Sequence, residues 1–145
     1  MDTNIKIAKT DSEILGCFEV MKELRPQLVV GNFIARIRQQ EGEGYQLCYL
    51  VEENKPLAVA GFRLGHNLAW GRFLYVDDLV TLASYRSRGY GSKLLAWLLE
   101  YAVKENCDQF HLDSGVWRAE AHRFYEREGM ELSSYHFRKI LQSST

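Results

Sequence analysis

The chain has 145 residues, enough for one domain with a proper core and too few for two ordinary ones. Hydrophobic residues make up 46% of it and charged residues 26%, the balance of a globular protein rather than of a disordered tail. Its 18 lysines and arginines against 19 acids leave a formal net charge of −1, so the whole chain lacks the basic footprint of a nucleic-acid binder.

The start, MDTNIKIAKTDSE, has no cationic stretch leading into an apolar one, which reads as no secretory signal. No apolar run approaches the roughly 18–20 residues that cross a bilayer. Cys17, Cys48 and Cys107 are an odd number, far apart and without CxxC or Cys/His spacing. They read as reduced core thiols rather than as disulfides or metal ligands, and the expectation is a cytoplasmic protein with no metal and no membrane partner.

Taken in order, Asn4–Ala8 alternates apolar and polar residues as a short strand does. Asp11 or Ser12 can cap a helix in which Ile14, Leu15, Phe18, Met21 and Leu24 recur at helical spacing before Pro26. A second helix fits Asn32–Gln40 and is broken by Gly42 and Gly44. Three strand-like runs follow, Gln46–Glu52, Leu57–Leu64 and Phe73–Leu82. Asn54 and Lys55 turn the chain between the first two. Ser92–Glu105 carries an apolar stripe of Leu94, Leu95, Leu98, Leu99 and Ala102, with Lys93, Glu100 and Lys104 on the wet side. Phe110–Asp113 reads as a strand, Glu120–Arg127 as a helix stopping at a left-handed Gly129, and Tyr135–Leu141 as a last strand. Antiparallel hairpins followed by strand–helix–strand units imply one α/β domain over residues 1–145, with a mixed sheet and helices on both faces.

The segment most informative about function is DDLVTLASYRSRGYGSKLLAWLLEYA, residues 77–102. A strand runs into Arg86-Ser87-Arg88-Gly89-Tyr90-Gly91, and a helix starts at once. Amides in the first helical turn lack internal partners, and the helix dipole adds positive potential there. Glycines admit positive φ and leave room for an anion against the backbone. With Arg86, Arg88 and Lys93 nearby, the segment suits a pyrophosphate. Two glycines before a helix are equally compatible with a tight turn. The third glycine and distal acid of a dinucleotide fingerprint are missing, as is the GK[ST] ending of a P-loop.

This segment resembles the signature of the GNAT acetyltransferase superfamily, [RQ]xxGx[GA] after a strand of the form LxVxPxxR. Leu79, Thr81, Ala83, Arg86, Gly89 and Gly91 fill those places. A second block, LDSGVWRAEAHRFYEREGM at 112–130, resembles the later AxxFYxxxGF of the family through Ala121, Phe124, Tyr125, Gly129 and Met130. Ala83 replaces the usual proline, Met130 a phenylalanine, and Arg118 an asparagine that many members use beside pantetheine. The resemblance implies a GNAT-like fold with a mostly antiparallel sheet of about six or seven strands.

It also implies an N-acetyltransferase that uses acetyl-CoA as co-substrate and an amine as acceptor, by direct attack in a ternary complex. The pyrophosphate would rest on Arg86, Ser87, Arg88, Gly89, Tyr90, Gly91 and Ser92, and the pantetheine arm on Leu79, Val80, Thr81 and Leu82, where the strand splays from the one carrying Leu112. Arg118 could reach a phosphate. The amide of Leu79 or Val80 would polarise the thioester carbonyl. Tyr125 matches the tyrosine that protonates the departing thiolate, a role its near-neutral-pH protonation suits.

Asp77 and Asp78, adjacent on a strand, are expected on opposite faces, so one needs a partner or a function. Asp78, just before the Leu79 amide, is the preferred base. His122 shares the Tyr125 helix face, His136 could line an acceptor pocket, and His111 reads as a sheet residue. Acceptor recognition is expected from residues 22–40, including Glu23, Arg25, Asn32 and Arg36, and from the region around the last strand. A small-molecule amine is the leading acceptor. A protein- or aminoacyl-tRNA-directed enzyme and a non-catalytic acyl-CoA-binding module are the alternatives. The near-neutral charge gives the tRNA reading no support, and a homodimer is compatible with all of them.

Overall fold

The structure, a computed structural model, describes residues 4–142. The chain forms two compact units, Met1–Leu112 and Asp113–Thr145.

The first unit holds a five-stranded sheet in the order β1 (Ile5–Ile7), β2 (Tyr45–Glu52), β3 (Lys55–Asn67), β4 (Gly71–Thr81) and β5 (Gln109–Leu112). Neighbours from β1 to β4 run antiparallel, and β4–β5 is parallel. The parallel step follows from the crossover helix α4 (Tyr90–Lys104) that joins the two strands. The remaining helices, α1 (Asp11–Gly16), α2 (Phe18–Leu24) and α3 (Val30–Glu41), lie between β1 and β2 in sequence.

Helices cover both faces of the sheet. On one face Phe62 of β3 meets Trp97 and Tyr101 of α4, with ring centroids 6.5 and 5.2 Å away. On the other, Gly61 faces the Tyr45 phenol, next to the end of α2. The predicted stripe of α4 is buried through Leu94, Leu95, Leu98 and Ala102, each leucine contributing about 1.5–3 kcal/mol of apolar burial. Trp97 joins it, and Leu99 is only half-buried.

Two expectations for the first helix need correction. The helix from Asp11 toward Pro26 is two helices, broken at Cys17, whose fully buried thiol donates to the Glu13 carbonyl. The kink turns Leu15 outward, 45% exposed, while Val20 and Met21 go inward. Its cap is Thr10 rather than Asp11 or Ser12. The Thr10 hydroxyl accepts the Glu13 amide at 3.1 Å and the Glu13 carboxylate accepts the Thr10 amide at 2.9 Å, a reciprocal capping box. The Thr10 amide and the Lys9 amide, which donates to the same oxygen at 3.0 Å, hold the Glu13 carboxyl down at about 2.

In the second unit α5 (Ala119–Arg127) ends as its sequence predicts. Gly129 has φ +89°, its amide donates to Glu126, and the Met130 amide reaches back to Tyr125, a Schellman closure. The expected last strand does not form: residues 130–142 adopt neither helix nor strand, so among the described residues the sheet has five strands, not six or seven. Tyr135, Phe137 and Leu141, which alternate as strand residues do, are 78–91% exposed. Alternation supplies a face but no ladder partner.

Among the described residues no helix is long and apolar enough to cross a membrane. The three cysteines are free thiols, Cys17 and Cys48 buried and Cys107 partly so.

Candidate active site

The irregularity between β3 and β4 builds the candidate site. The β3–β4 register runs from Ala58↔Thr81 to Gly61↔Asp78, then skips to Phe62↔Val76, leaving Asp77 as the extra residue of a β-bulge. The bulge cancels the alternation that would send the two aspartates to opposite faces. Both line one cleft of about 250 Å³ beneath α2 and α3. The expectation of opposed side chains therefore fails at the one place where the strand is not regular.

Each carboxylate has its own counter-ion. Asp78 accepts from Arg25 Nε at 2.9 Å and from the Tyr45 hydroxyl at 2.8 Å, and its side chain is 13% exposed. Asp77 accepts both ends of the Arg63 guanidinium, at 2.8 and 3.0 Å, while its carbonyl takes an Arg25 N–H. Burial, and then the Asp78 charge, push the Tyr45 phenol well above its ordinary pKa, so it stays a donor. Arg36 and Gln40 of α3 line the opposite wall beside Phe33 and Ile37, the helical spacing putting all four on one face.

Of the expected acceptor residues, Arg25 and Arg36 line the cleft. Glu23 instead accepts the Ala83 amide at 2.8 Å and lies 3.6 Å from Arg86. Asn32 is exposed and is not part of the lining.

Tyr45 and Gly61 escape a reading of the sequence. A Cβ on Gly61 would overlap the Tyr45 phenol, so the glycine makes room for the ring that holds Asp78. The available signal was a glycine inside an otherwise apolar strand. Gly61→Ala should cost about 1–3 kcal/mol through overpacking and lower Tm in a thermal melt. An unchanged Tm would show that the Tyr45 ring shifts freely.

Beyond the bulge one edge of β4 opens. β5 pairs with it only over Phe73–Val76, while β4 continues to Thr81. The Leu82 amide donates to Leu57 at 2.9 Å, and strand alternation then turns Val80 toward β3 and the Leu79 and Thr81 backbone away from it. Of the two candidate amides, Leu79 is the one on the open edge. The Thr81 carbonyl accepts Arg86 Nε at 3.1 Å.

A 3₁₀ turn, Ala83–Tyr85, leads into the loop, and α4 begins at Tyr90, two residues before the sequence suggests. Gly89 is the N-cap at φ +84°, and a Cβ there would meet open space. Ser87 is also left-handed, at φ +67°. Gly89 has no side chain to cap the first-turn amides, so an anion can do so. Arg88 and Lys55 both stack on Tyr85, and Lys93 stacks on Tyr90, which keeps cationic charge at this end of the helix.

In the second unit, Arg118 is the N-cap of α5, and Tyr125 lies in its last turn. Burial raises the Tyr125 phenol pKa, with Arg118 pulling it back. The hydroxyl makes no hydrogen bond to a described residue. His122 is committed elsewhere, donating from Nε2 to the Gly115 carbonyl at 2.8 Å. His136 lies 3.7 Å from Asp113, and in the first unit His111 stacks on Trp70.

The chain is similar to known proteins in sequence and in fold. Residues 7–130 match the model of the acetyltransferase (GNAT) family. The uncharacterized N-acetyltransferase YhdJ of Bacillus subtilis is 36% identical over 138 residues, covering 94% of this chain and 97% of that protein. An aminoalkylphosphonate N-acetyltransferase of Salmonella typhimurium is 39% identical over 66 residues, 46% of this chain and 43% of the relative. A solved putative acetyltransferase from Agrobacterium tumefaciens shares the fold at TM-score 0.81 and 26% identity, covering 95% and 99% of the two chains. An aminoglycoside N-acetyltransferase in complex with CoA has a TM-score of 0.83 at 12% identity, covering 99% of this chain and 98% of its own. A family match across most of the chain, with a full-length relative of the same kind, makes this protein an N-acetyltransferase of the GNAT family.

Proposed function

We propose that the enzyme transfers the acetyl group of acetyl-CoA to the primary amine of a small molecule, by direct attack within a ternary complex. The observation that carries this reading is the open edge of β4, with the bulged aspartates at one end and the uncapped start of α4 at the other. Acetyl-CoA supplies the activated thioester.

The amides from Arg86 to Ser92 hold its pyrophosphate, helped by Arg88 and Lys93. Leu79 to Leu82 pair with the pantetheine arm along the open edge, and Arg118 reaches a phosphate. The Leu79 amide donates to the carbonyl oxygen, where negative charge develops as the tetrahedral intermediate forms. Asp78 accepts the amine proton, directly or through one water, since each carboxylate oxygen keeps a lone pair after binding Arg25 and Tyr45. Tyr125 gives its proton to the leaving thiolate.

The cleft volume supports a small acceptor. At about 250 Å³ it lies below the usual range for drug-sized ligands. The Salmonella relative, by its name, also acts on a small amine. Free thiols at Cys17, Cys48 and Cys107 fit a reducing, cytoplasmic setting.

CoA at a hundred times its Kd should stabilise the fold by about 2.7 kcal/mol and raise Tm by roughly 5–10 °C. NAD or ATP should not. A thermal shift series, followed by thiol release from acetyl-CoA across an amine panel, tests the reading. CoA without effect on Tm would overturn it.

A further inference from the structure

Two aspartates and two arginines line the cleft, but each aspartate is already paired, one of them with Arg63 from outside the lining. Asp78 is paired with Arg25 at 2.9 Å and Asp77 with Arg63 at 2.8 Å, so the floor is neutral as a set. Arg36 is left over. It lines the same cleft from the opposite wall, is exposed, and has no hydrogen bond or ion pair with any described residue. The helix that carries it is anchored from beneath, because Phe33 and Ile37 on the same face of α3 are 1% and 4% exposed. Its neighbour along the chain shows the contrast. Arg38, two residues on and turned away, is held by Asp11 at 2.8 Å and Glu41 at 2.9 Å.

A neutralised floor exerts little net pull on a simple ammonium ion. A surplus guanidinium on the facing wall attracts an anion, and its planar fork suits a carboxylate, phosphate or phosphonate. Gln40, one turn further along α3, adds a neutral donor to the same wall.

We propose that the acceptor carries an anionic group beside its amine, and that Arg36 binds this group while the amine lies toward Asp78. This rests on the small-amine reading above and narrows it to zwitterionic acceptors. Arg36 is then a specificity residue: it selects which amines bind and takes no part in proton transfer. The attraction acts across an open cleft, so added salt weakens it.

The test uses matched pairs of primary amines, each acid-bearing compound beside its uncharged ester or amide. Carboxylate and phosphonate series are run separately, so that the preferred anion is also read. Thiol release from acetyl-CoA gives kcat and KM for the wild type, Arg36→Gln and Arg36→Lys. The wild type should favour acid-bearing acceptors in kcat/KM by about ten- to a hundredfold, the range of charge-assisted hydrogen bonds. Arg36→Gln should collapse that preference to near unity through KM, with kcat for the acid-bearing acceptor largely kept. Arg36→Lys should restore part of it, and 0.5 M salt should erode it in the wild type. The CoA-induced Tm shift of each variant confirms a folded, donor-competent protein.

Equal wild-type use of both members of each pair would overturn the proposal while leaving the acetyltransferase reading intact. A preference that survives in Arg36→Gln would do the same. CoA binding without thiol release on any amine would sink the small-amine reading, and this proposal with it.

Discussion

Tyr125→Phe is expected to lower kcat by about a hundredfold while CoA affinity stays within a factor of two. The hydroxyl sits on α5 with no hydrogen bond to a described residue, which leaves it available to a reacting group. Burial raises its pKa above the ordinary value, so it holds its proton at neutral pH and remains an acid rather than a base. The sign follows: the donor form persists through neutral pH and is lost only when pH climbs past the raised pKa. Phenylalanine keeps the ring and its edge contact with Phe124, 5.2 Å between centroids, so α5 should fold unchanged. A positioned general acid contributes on the order of 10²–10⁴-fold. A thiolate leaves readily without help, which places the effect at the low end. CoA binding draws on the α4 amides and should move little. Steady-state kinetics beside calorimetric CoA titration separate the two. A near-wild-type kcat would mean that solvent protonates the thiolate and that Tyr125 only packs.

How far the sequence could be read depends on how local each feature is. Gly129 is legible because a left-handed residue at a helix boundary is a local demand, and its φ is +89°. The start of α4 lies two residues before the glycine-containing loop suggests, because with Gly89 as cap Tyr90 and Gly91 take helical angles. The α4 stripe was legible because helical periodicity needs no knowledge of the partner. Tyr135–Leu141 shows the limit of the same logic, since a strand exists only through its ladder.

The floor of the cleft is the least local feature of the candidate site. Asp77 and Asp78 are conspicuous in sequence, yet which face each takes depends on a one-residue slip against β3. Tyr45 lies 33 positions from Asp78, and Arg25 lies 53 away. No pattern within a short window announces such a triad. What the sequence does hold is its footprint, Gly61, where a side chain would displace the phenol.

Asp78→Asn should lower kcat by about a hundredfold, flatten the acid limb of the pH–rate profile and reduce Tm by a few degrees. Asparagine is nearly isosteric and keeps a carbonyl oxygen for Arg25, so the cleft should retain its shape. It cannot accept a proton, and the acid limb, where a carboxylate base becomes protonated and falls silent, should vanish with it. The stability loss has a separate origin. Arg25 loses its charge partner, and Tyr45 must exchange a carboxylate acceptor for an amide. Hydrogen bonds to charged groups are worth about 1.5–3 kcal/mol when buried. Arg25 is 43% exposed, so water recovers much of that, and about 1 kcal/mol is the expected cost. Tyr45 itself should stay protonated, because burial is the larger cause of its raised pKa and survives the substitution. Asp77→Asn provides the contrast on the same floor: Arg63 loses its partner, but the base remains, so Tm should fall while the acid limb persists. The two variants separate proton transfer from charge balance. If Asp78→Asn melts early yet keeps its kcat and its acid limb, Asp78 is an anchor for Arg25, and the amine proton leaves by Asp77 or by water.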